Sequence, residues 1–449
     1  MQIFFLKKYY GSLFIITVFI LSLISCSKDN FQSALKNTPQ NASYFLNPAT
    51  ENKLLISPSA QKALLQDYLS HYFSPWTNQN LILSENAIKQ TETVMLDKFV
   101  KNPGWGENLQ TYPKLWVKNI ANNMSLQNFP NRHIKAITLT ATNLRLLPTT
   151  EPSFDNPKQA GEGYPFDYLQ ESSVSPNIPA LILQTTQDGA WNLVVMNNDI
   201  GWIVTKDLAV VDDKFISQWE THHYVAIKKD HLSLFTTSQQ FLFKTYLGAI
   251  YPVLQETKNN FTILVASADA NDHAVIKTAI IPKNTAVTMP LLLTQKNIAL
   301  LTNSILGNPY GWGGIQNYRD CSSTMADLFT PFGVWLPRNS FDQIHTKKFI
   351  TLEGKKDTQK TKLLASMGIP FLTLVGLPGH IMLYIGQHQG KLYVLQNLWG
   401  IHTKNIFGKK GRVLIGKTVI TPIDLDKGYF NVPESMLDRI NSFTYVTQQ

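Results

Sequence analysis

Cysteine usage constrains this chain more than any other feature. Its 449 residues contain two, Cys26 and Cys321, so neither a disulfide framework nor a Cys-rich zinc or iron–sulfur site can hold the fold together. Stability has to come from packed apolar cores, and 44% hydrophobic and 11% aromatic residues supply the material. At about 100–200 residues per domain the length suggests roughly two to four of them. Ordinary Gly and Pro counts exclude collagen-like repeats, and the aromatic content excludes disorder.

The first cysteine closes a leader-like segment. Lys7 and Lys8 form a positive region, followed over 13–24 by an apolar run that falls short of the about 20 residues a spanning helix needs. The string Leu23-Ile24-Ser25-Cys26 resembles a bacterial lipobox, which implies a signal peptide over 1–25 and lipidation of Cys26; an ordinary cleaved signal or an N-terminal anchor is the alternative. Ser27 fits, by the usual Gram-negative sorting pattern, a lipid-anchored protein of the cell envelope on the periplasmic face of the outer membrane. Cys321 is then the one thiol of the mature chain. The formal charge of +9 is spread in pairs such as Lys347-Lys348 and Lys409-Lys410, which suggests mild attraction to anionic envelope polymers and lipid head groups and no nucleic-acid partner.

Texture divides the remainder. Residues 26–53 are rich in Asn, Ser, Thr and Pro without a period and read as a tether. Ser57 caps an expected helix with Pro58 in its first turn and Ser74-Pro75-Trp76 ending it, and mainly helical sequence runs over 54–134. Short β-prone runs at 136–147, 180–184, 191–196 and 201–204 read as a small barrel over 135–213. The pattern Trp191-Asn192-Leu193-Val194 followed by Gly201-Trp202-Ile203 resembles the paired strands of bacterial SH3-like domains. Runs at 224–227, 261–266 and 274–281 suit a second barrel over 222–290.

Mixed α and β sequence over 291–449 carries the chemistry. Downstream of Cys321, the residues Met325, Leu328 and Phe329 share helical spacing, which places Cys321 at a helix N-terminus. Free amides and the helix dipole there favour the nucleophilic thiolate and can hold an oxyanion. A base is needed, and Gly379-His380 opens an alternating run that ends at Gly386, with a second run beginning after Gly390. A hairpin in which Gly386 pairs with Gly390 sets His380 opposite Gln396; a one-residue slip brings in Asn397 instead, and His402 is a third candidate.

Four motifs, Tyr310-Gly311-Trp312-Gly313-Gly314, Asp320-Cys321-Ser322-Ser323, Leu336-Pro337-Arg338-Asn339-Ser340 and Gly379-His380-Ile381-Met382-Leu383-Tyr384-Ile385-Gly386, resemble in order and approximate spacing the NlpC-type cell-wall cysteine peptidases (the NlpC/p60 superfamily). With the preceding texture, the chain resembles the Gram-negative murein endopeptidases of that family. The resemblance implies a multidomain α+β protein: a papain-like catalytic domain, its nucleophile helix packed on an antiparallel sheet, preceded by two SH3-like barrels and a helical segment. It implies Cys321 as nucleophile, His380 as base and Gln396 as the residue that orients His380, where relatives often have histidine. Tyr310, Asp320, Ser322, Ser323 and Arg338 fall where the family contacts the stem peptide, with Asp320 placed to hold a free N-terminal amine and Arg338 equally suited to fixing its loop. The implied activity is cleavage of the γ-D-glutamyl to diamino-acid bond of murein stem peptides through a thioester. No metal or organic cofactor is implied, and oligomeric state is not legible. An amidase or acyltransferase of the same class, or a wall-binding lipoprotein without catalysis, are the alternatives.

Overall fold

The computed structural model describes residues 34–79, 81–429 and 431–447. The expected signal peptide and Cys26 lie outside the described residues. Among the described residues no helix is long and apolar enough to cross a membrane.

The helix Pro58–Tyr72 starts as its sequence dictates, with the Ser57 side chain accepting from the Ala60 amide. It acts as a strut between later domains. Gln61 Nε2 donates to the carbonyls of Leu291 and Phe332, Tyr72 Oη to that of Asn177, and, from the short helix Ser74–Thr77 that follows, Trp76 Nε1 to that of Ala136. The buried rings of Tyr68, Tyr72, Phe73 and Trp76 form one core with Ile137 and Ala209 of the first barrel and Tyr224 and Leu264 of the second. Two more helices, Glu85–Lys101 and Lys114–Met124, pack Ile88, Phe99 and Val117 against the first barrel around the buried Trp202.

Residues 34–53, expected as tether, instead pack against the C-terminal domain. The Gln40 side chain pairs with both backbone groups of Ile420, Asn303 Oδ1 accepts from the Ala42 amide at 2.7 Å, and Ala42 is fully buried. Side-chain amides replace a regular backbone ladder here, so the segment has no period for a sequence reading to detect.

The first barrel is a seven-stranded sheet, with strands in the spatial order Gln170–Val174, Thr142–Arg145, Ile200–Val204, Trp191–Val195, Pro179–Thr185, Ile134–Thr138 and Leu208–Val210. The run read as one strand at 136–147 is two, because the chain leaves its pairing with Leu208–Val210 and crosses to meet Trp202. The second barrel contains Tyr224–Ile227, Asn260–Ala268 and Ala274–Pro282 where strands were expected.

The C-terminal domain is built on a six-stranded antiparallel sheet ordered Phe349–Thr351, Ser442–Tyr445, Thr373–Leu377, His380–His388, Lys391–Lys404, Lys410–Pro422. Ile381, Leu383 and Ile385 pack with Met325, Leu328 and Phe329 of the helix Cys321–Phe329. Met382 and Tyr384 pack the other way, against Leu364 and Met436. This α+β architecture is the one expected.

The hairpin register differs from the sequence reading. Gln389 and Gly390 both have positive φ, 49° and 76°, and form the two-residue turn between the paired His388 and Lys391, a geometry that matches strand twist. Gly386 therefore pairs with Tyr393, and a bulge after Tyr384 sets Leu383 opposite Leu395. Gln396 falls diagonal to His380. The net shift is even, so both remain on one face.

Burial in the first barrel gives a test. Glu92 accepts from Trp202 Nε1 at 2.8 Å, and burial pushes its carboxyl from 4.5 to about 7. The folded state holds this proton more tightly than the unfolded one, so Glu92 lowers stability as pH rises from 4.5 to 7. Denaturant unfolding of Glu92→Gln should match the wild type near pH 4 and exceed it by roughly 3 kcal/mol above pH 7. Parallel pH profiles for the two proteins would refute this.

Candidate active site

Cys321 is the first residue of its helix and 8% exposed. Asp320 caps the helix, accepting from the Ser323 amide at 2.9 Å, while the Ser323 hydroxyl accepts from the Asp320 amide at 3.0 Å. The helix N-terminus is therefore well formed, yet it does not yield a resting thiolate. Burial pushes the Cys321 thiol up to about 12, and the Asp320 carboxylate adds to the rise. Hydrogen bonds from the amides of Ile381 and Ser322 pull the other way and are outweighed. The amide at the helix start does favour the thiolate, as expected, but burial outweighs it.

The Ile381 amide belongs to the residue after His380, so the strand brings His380 beside the thiol. His380 Nε2 lies 2.9 Å from Gln396 Oε1, and Gln396 Nε2 donates to Thr421 Oγ1 at 2.7 Å. An amide oxygen only accepts, so His380 Nε2 carries the hydrogen and Nδ1 the lone pair. Burial lowers the His380 pKa to about 4, against the opposing effect of Gln396. Thiol and imidazole are thus both neutral near pH 7. Asn397 points to the other face, where its Nδ2 donates to the Arg319 carbonyl at 2.6 Å and to Thr324 Oγ1. His402 is bound to Arg412, with Nε2 to Nη2 at 2.9 Å.

Tyr310 stands near Cys321 and Asp320, and burial together with their charges raises its hydroxyl pKa. The other polar residues expected to meet substrate form a closed network. Asp320 Oδ2 accepts from Arg338 Nη2 at 2.7 Å, and Oδ1 accepts from the hydroxyls of Ser322 and Ser323. Arg338 continues to Ser172 Oγ at 2.7 Å and the Glu171 carbonyl, both on the strand Gln170–Val174 of the first barrel. Burial raises the Asp320 pKa, but Arg338 and the Ser323 amide leave it below its ordinary value. Every polar group of Asp320 and Ser322 is engaged by protein. Their side chains hold the helix and its neighbour together.

Sequence reasoning missed the partners of this network. Arg319 pairs with Asp230 of the second barrel at 2.7 Å and with Asp327 at 2.6 Å, and its Nη2 also donates to the Leu247 carbonyl. The pairs Arg319 to Asp230 and Arg338 to Ser172 span 89 and 166 positions, and no local pattern encodes them. The glycines of Tyr310-Gly311-Trp312-Gly313-Gly314 did carry a signal. Gly313 and Gly314 have φ of 54° and 78°, and a Cβ would lie 2.5 Å from the Gln170 carbonyl or 2.2 Å from Ser173 Oγ. They let this loop press onto the first barrel, where Gln170 Nε2 donates to the Gly313 carbonyl and Trp312 Nε1 to that of Asp167.

A cleft of about 330 Å³ opens beside His380, walled by Tyr310, Trp312 and Trp399 of the C-terminal domain and by Phe166 of the first barrel.

Comparison with known proteins follows the same division. The NLPC_P60 stabilising domain matches residues 13–129, an SH3 domain of SH3b1 type 152–204, an SH3 domain of SH3b2 type 212–258, and the NlpC/P60 family 307–404. A solved NlpC/P60 endopeptidase from Photobacterium damselae subsp. piscicida is 26% identical with a TM-score of 0.81, covering 92% of this chain and 98% of its own. An NlpC/P60 family protein from Bacillus cereus is 14% identical with a TM-score of 0.48, covering 70% and 99%. No curated protein matches. Two SH3b domains ahead of an NlpC/P60 domain, with Cys321 at a helix start and His380 on the strand whose next amide bonds the thiol, place the C-terminal domain in the NlpC/P60 family, a family of cysteine peptidases.

Proposed function

We propose that this chain hydrolyses the γ-D-glutamyl to diamino-acid amide of murein stem peptides, with Cys321 as nucleophile, His380 as base and acid, and Gln396 as the positioning residue. The observation that carries the reading is the chain Thr421, Gln396, His380, which fixes the proton on Nε2 and leaves Nδ1 bare in a strand whose next amide binds the Cys321 thiol. Nδ1 takes the thiol proton as Sγ attacks the scissile carbonyl. The amides at the start of the helix Cys321–Phe329 receive the oxyanion. The imidazolium then protonates the leaving amine, giving a thioester. His380 next deprotonates a water that attacks the thioester, and the proton returns to sulfur as the acid product leaves. The first barrel narrows the cleft and favours short stem peptides over intact wall, with Tyr310 as the remaining substrate-facing polar group of the four motifs.

Product mass spectrometry on defined muropeptides tests the bond. Wild-type protein should release the γ-D-glutamyl acid, and Cys321→Ala should release nothing. Cleavage at the sugar–peptide junction would make it an amidase, and binding of sacculi without any cleavage would leave only a wall-binding role. Gln396→Leu should lower kcat by about 100-fold, within the usual range for acid–base catalysis, and Gln396→His should recover part of it. Wild-type kcat in Gln396→Leu would remove Gln396 from the mechanism.

The resting protonation states make a separate forecast. The thiol is raised and the imidazole lowered, so ionised thiol grows only at alkaline pH and imidazolium only below about pH 4. Alkylation of Cys321 by iodoacetamide should be slow at pH 6–7 and climb through pH 9–10. A fast plateau from pH 5 would instead reveal a preformed ion pair.

We also propose that Cys26 is lipidated and holds the protein at the periplasmic face of the outer membrane. Labelled palmitate should enter the wild type and not Cys26→Ser; equal labelling of both would end the lipoprotein assignment.

A further inference from the structure

The strands Lys391–Lys404 and Lys410–Pro422 are joined by a turn that serves neither packing nor the mechanism. Lys404 pairs with Lys410 at its base, and every residue from 404 to 410 is exposed. The turn is nonetheless built to one shape. Asn405 Oδ1 accepts from the amides of Phe407 at 3.0 Å and Lys409 at 2.9 Å, the Asn405 amide donates to the Lys409 carbonyl, and Gly408 takes the positive φ of 77° that closes the loop. Ile406 and Phe407 are thereby held at the apex, 67% and 87% exposed, and Phe407 is the most exposed large apolar side chain among the described residues.

Two local costs are concentrated in this turn. Adjacent apolar side chains stand in water where a turn ordinarily carries polar ones, and Lys404 directly faces Lys410 although like charges so placed destabilise a strand pair. Lys409 adds a third ammonium, and none of the three is in an ion pair among the described residues. No acidic residue occurs from 391 to 423, so neither strand carries a carboxylate to offset the charge. An apolar apex ringed by ammonium groups is complementary to a surface of anionic head groups over an apolar layer. A hydrated anionic polymer would take the lysines and leave Ile406 and Phe407 in water.

The course of the chain supplies a second observation. Ala34, the first described residue, packs with Ile401 on one strand of this hairpin and with Val413 and Ile415 on the other. Cys26 precedes it by eight residues, a length that reaches at most roughly 29 Å, and the apex lies about five residues, roughly 17 Å, beyond Ile401. A lipid on Cys26 and the apex can therefore meet one bilayer surface. We infer that the tip formed by Lys404, Ile406, Phe407, Lys409 and Lys410 docks on an anionic phospholipid bilayer, with the two apolar side chains entering the interface and the three ammonium groups on lipid phosphates. This goes beyond the proposed peptidase activity and does not depend on it. Arg412 and His402, on the same two strands, line the cleft beside His380, so a docked tip fixes how that cleft is turned relative to the bilayer.

Vesicle flotation tests this on the chain from residue 27 onward, which contains every described residue and lacks the proposed lipid site, so the result stands whether or not Cys26 is acylated. The probes are vesicles of phosphatidylcholine and phosphatidylglycerol in equal parts and vesicles of phosphatidylcholine alone. The chain should bind the anionic vesicles, and the neutral ones at least about tenfold more weakly. Replacing Lys404, Lys409 and Lys410 together by Ala should weaken binding about 100-fold, from a factor of roughly five per lysine, and remove most of its salt dependence. Phe407→Ser should weaken it by about tenfold or more at any salt, and Phe341→Ser, at a residue 69% exposed elsewhere on the domain, should leave it unchanged. All three variants should keep the wild-type denaturant midpoint, so that a loss reads docking and not folding. Wild-type protein that stays off anionic vesicles, equal binding to both vesicle types, a loss in Phe341→Ser as large as in Phe407→Ser, or full binding by the lysine and Phe407 variants would each overturn the assignment. So would a loss of sacculus binding in those variants with vesicle binding intact, which would give the tip to a wall polymer.

Discussion

The start of the helix Cys321–Phe329 is held from two sides by buried arginines, and the geometry of the site depends on that clamp. Arg319, two residues before Cys321, ties the chain to Asp230 of the second barrel. Arg338 ties the helix-capping Asp320 to the strand Gln170–Val174 of the first. Such pairs are a poor source of net stability, since removing two charges from water costs several kcal/mol per ion and attraction only offsets it. What they add is direction. A forked guanidinium fixes angle as well as distance, and two forks acting on consecutive residues leave the helix little freedom to rotate or slide relative to either barrel. Losing one partner strands a buried charge, at a cost of about 3–5 kcal/mol.

That arrangement explains which parts of the site were legible. Cys321 and His380 each sit in a local pattern, helical spacing after one and strict alternation after the other, and short-range patterns survive in sequence. Gln396 was found through a wrong register. The turn lies at Gln389-Gly390 and a bulge follows Tyr384, and the two errors combine to an even shift that keeps Gln396 on the face of His380. An odd shift would have selected Asn397, which points to the Arg319 carbonyl. The strand Gln170–Val174 was invisible because its sequence, Gln-Glu-Ser-Ser-Val, has no apolar alternation. It is selected by what it bonds to across the domain boundary. Residues 34–53 were misread for the same reason.

The capping network also separates two roles that the motif Asp320-Cys321-Ser322-Ser323 appeared to merge. Read from the sequence, its polar residues look outward to substrate. In the fold, Asp320 and Ser322 are bound by Arg338, and the open space beside His380 lies between Phe166 of the barrel and Trp399 of the sheet. The barrel is then part of the site, since its glycine at 161 shapes the pocket in which Arg412 rests.

The opposite pKa shifts of the two reacting groups have a further consequence for a chain with so few cysteines. Thiolate is the form that oxidants and electrophiles attack, and susceptibility follows thiolate character and exposure. A thiol raised to about 12 beside an imidazole lowered to about 4 is protected on both counts. Among the described residues Cys321 is the free cysteine, with no second thiol to resolve a sulfenic acid as a disulfide. A preformed thiolate at this position would have no partner thiol for repair among the described residues. Keeping the pair neutral until substrate fills the cleft postpones ionisation to the step that uses it, and the clamp that buries the helix N-terminus supplies the desolvation this requires.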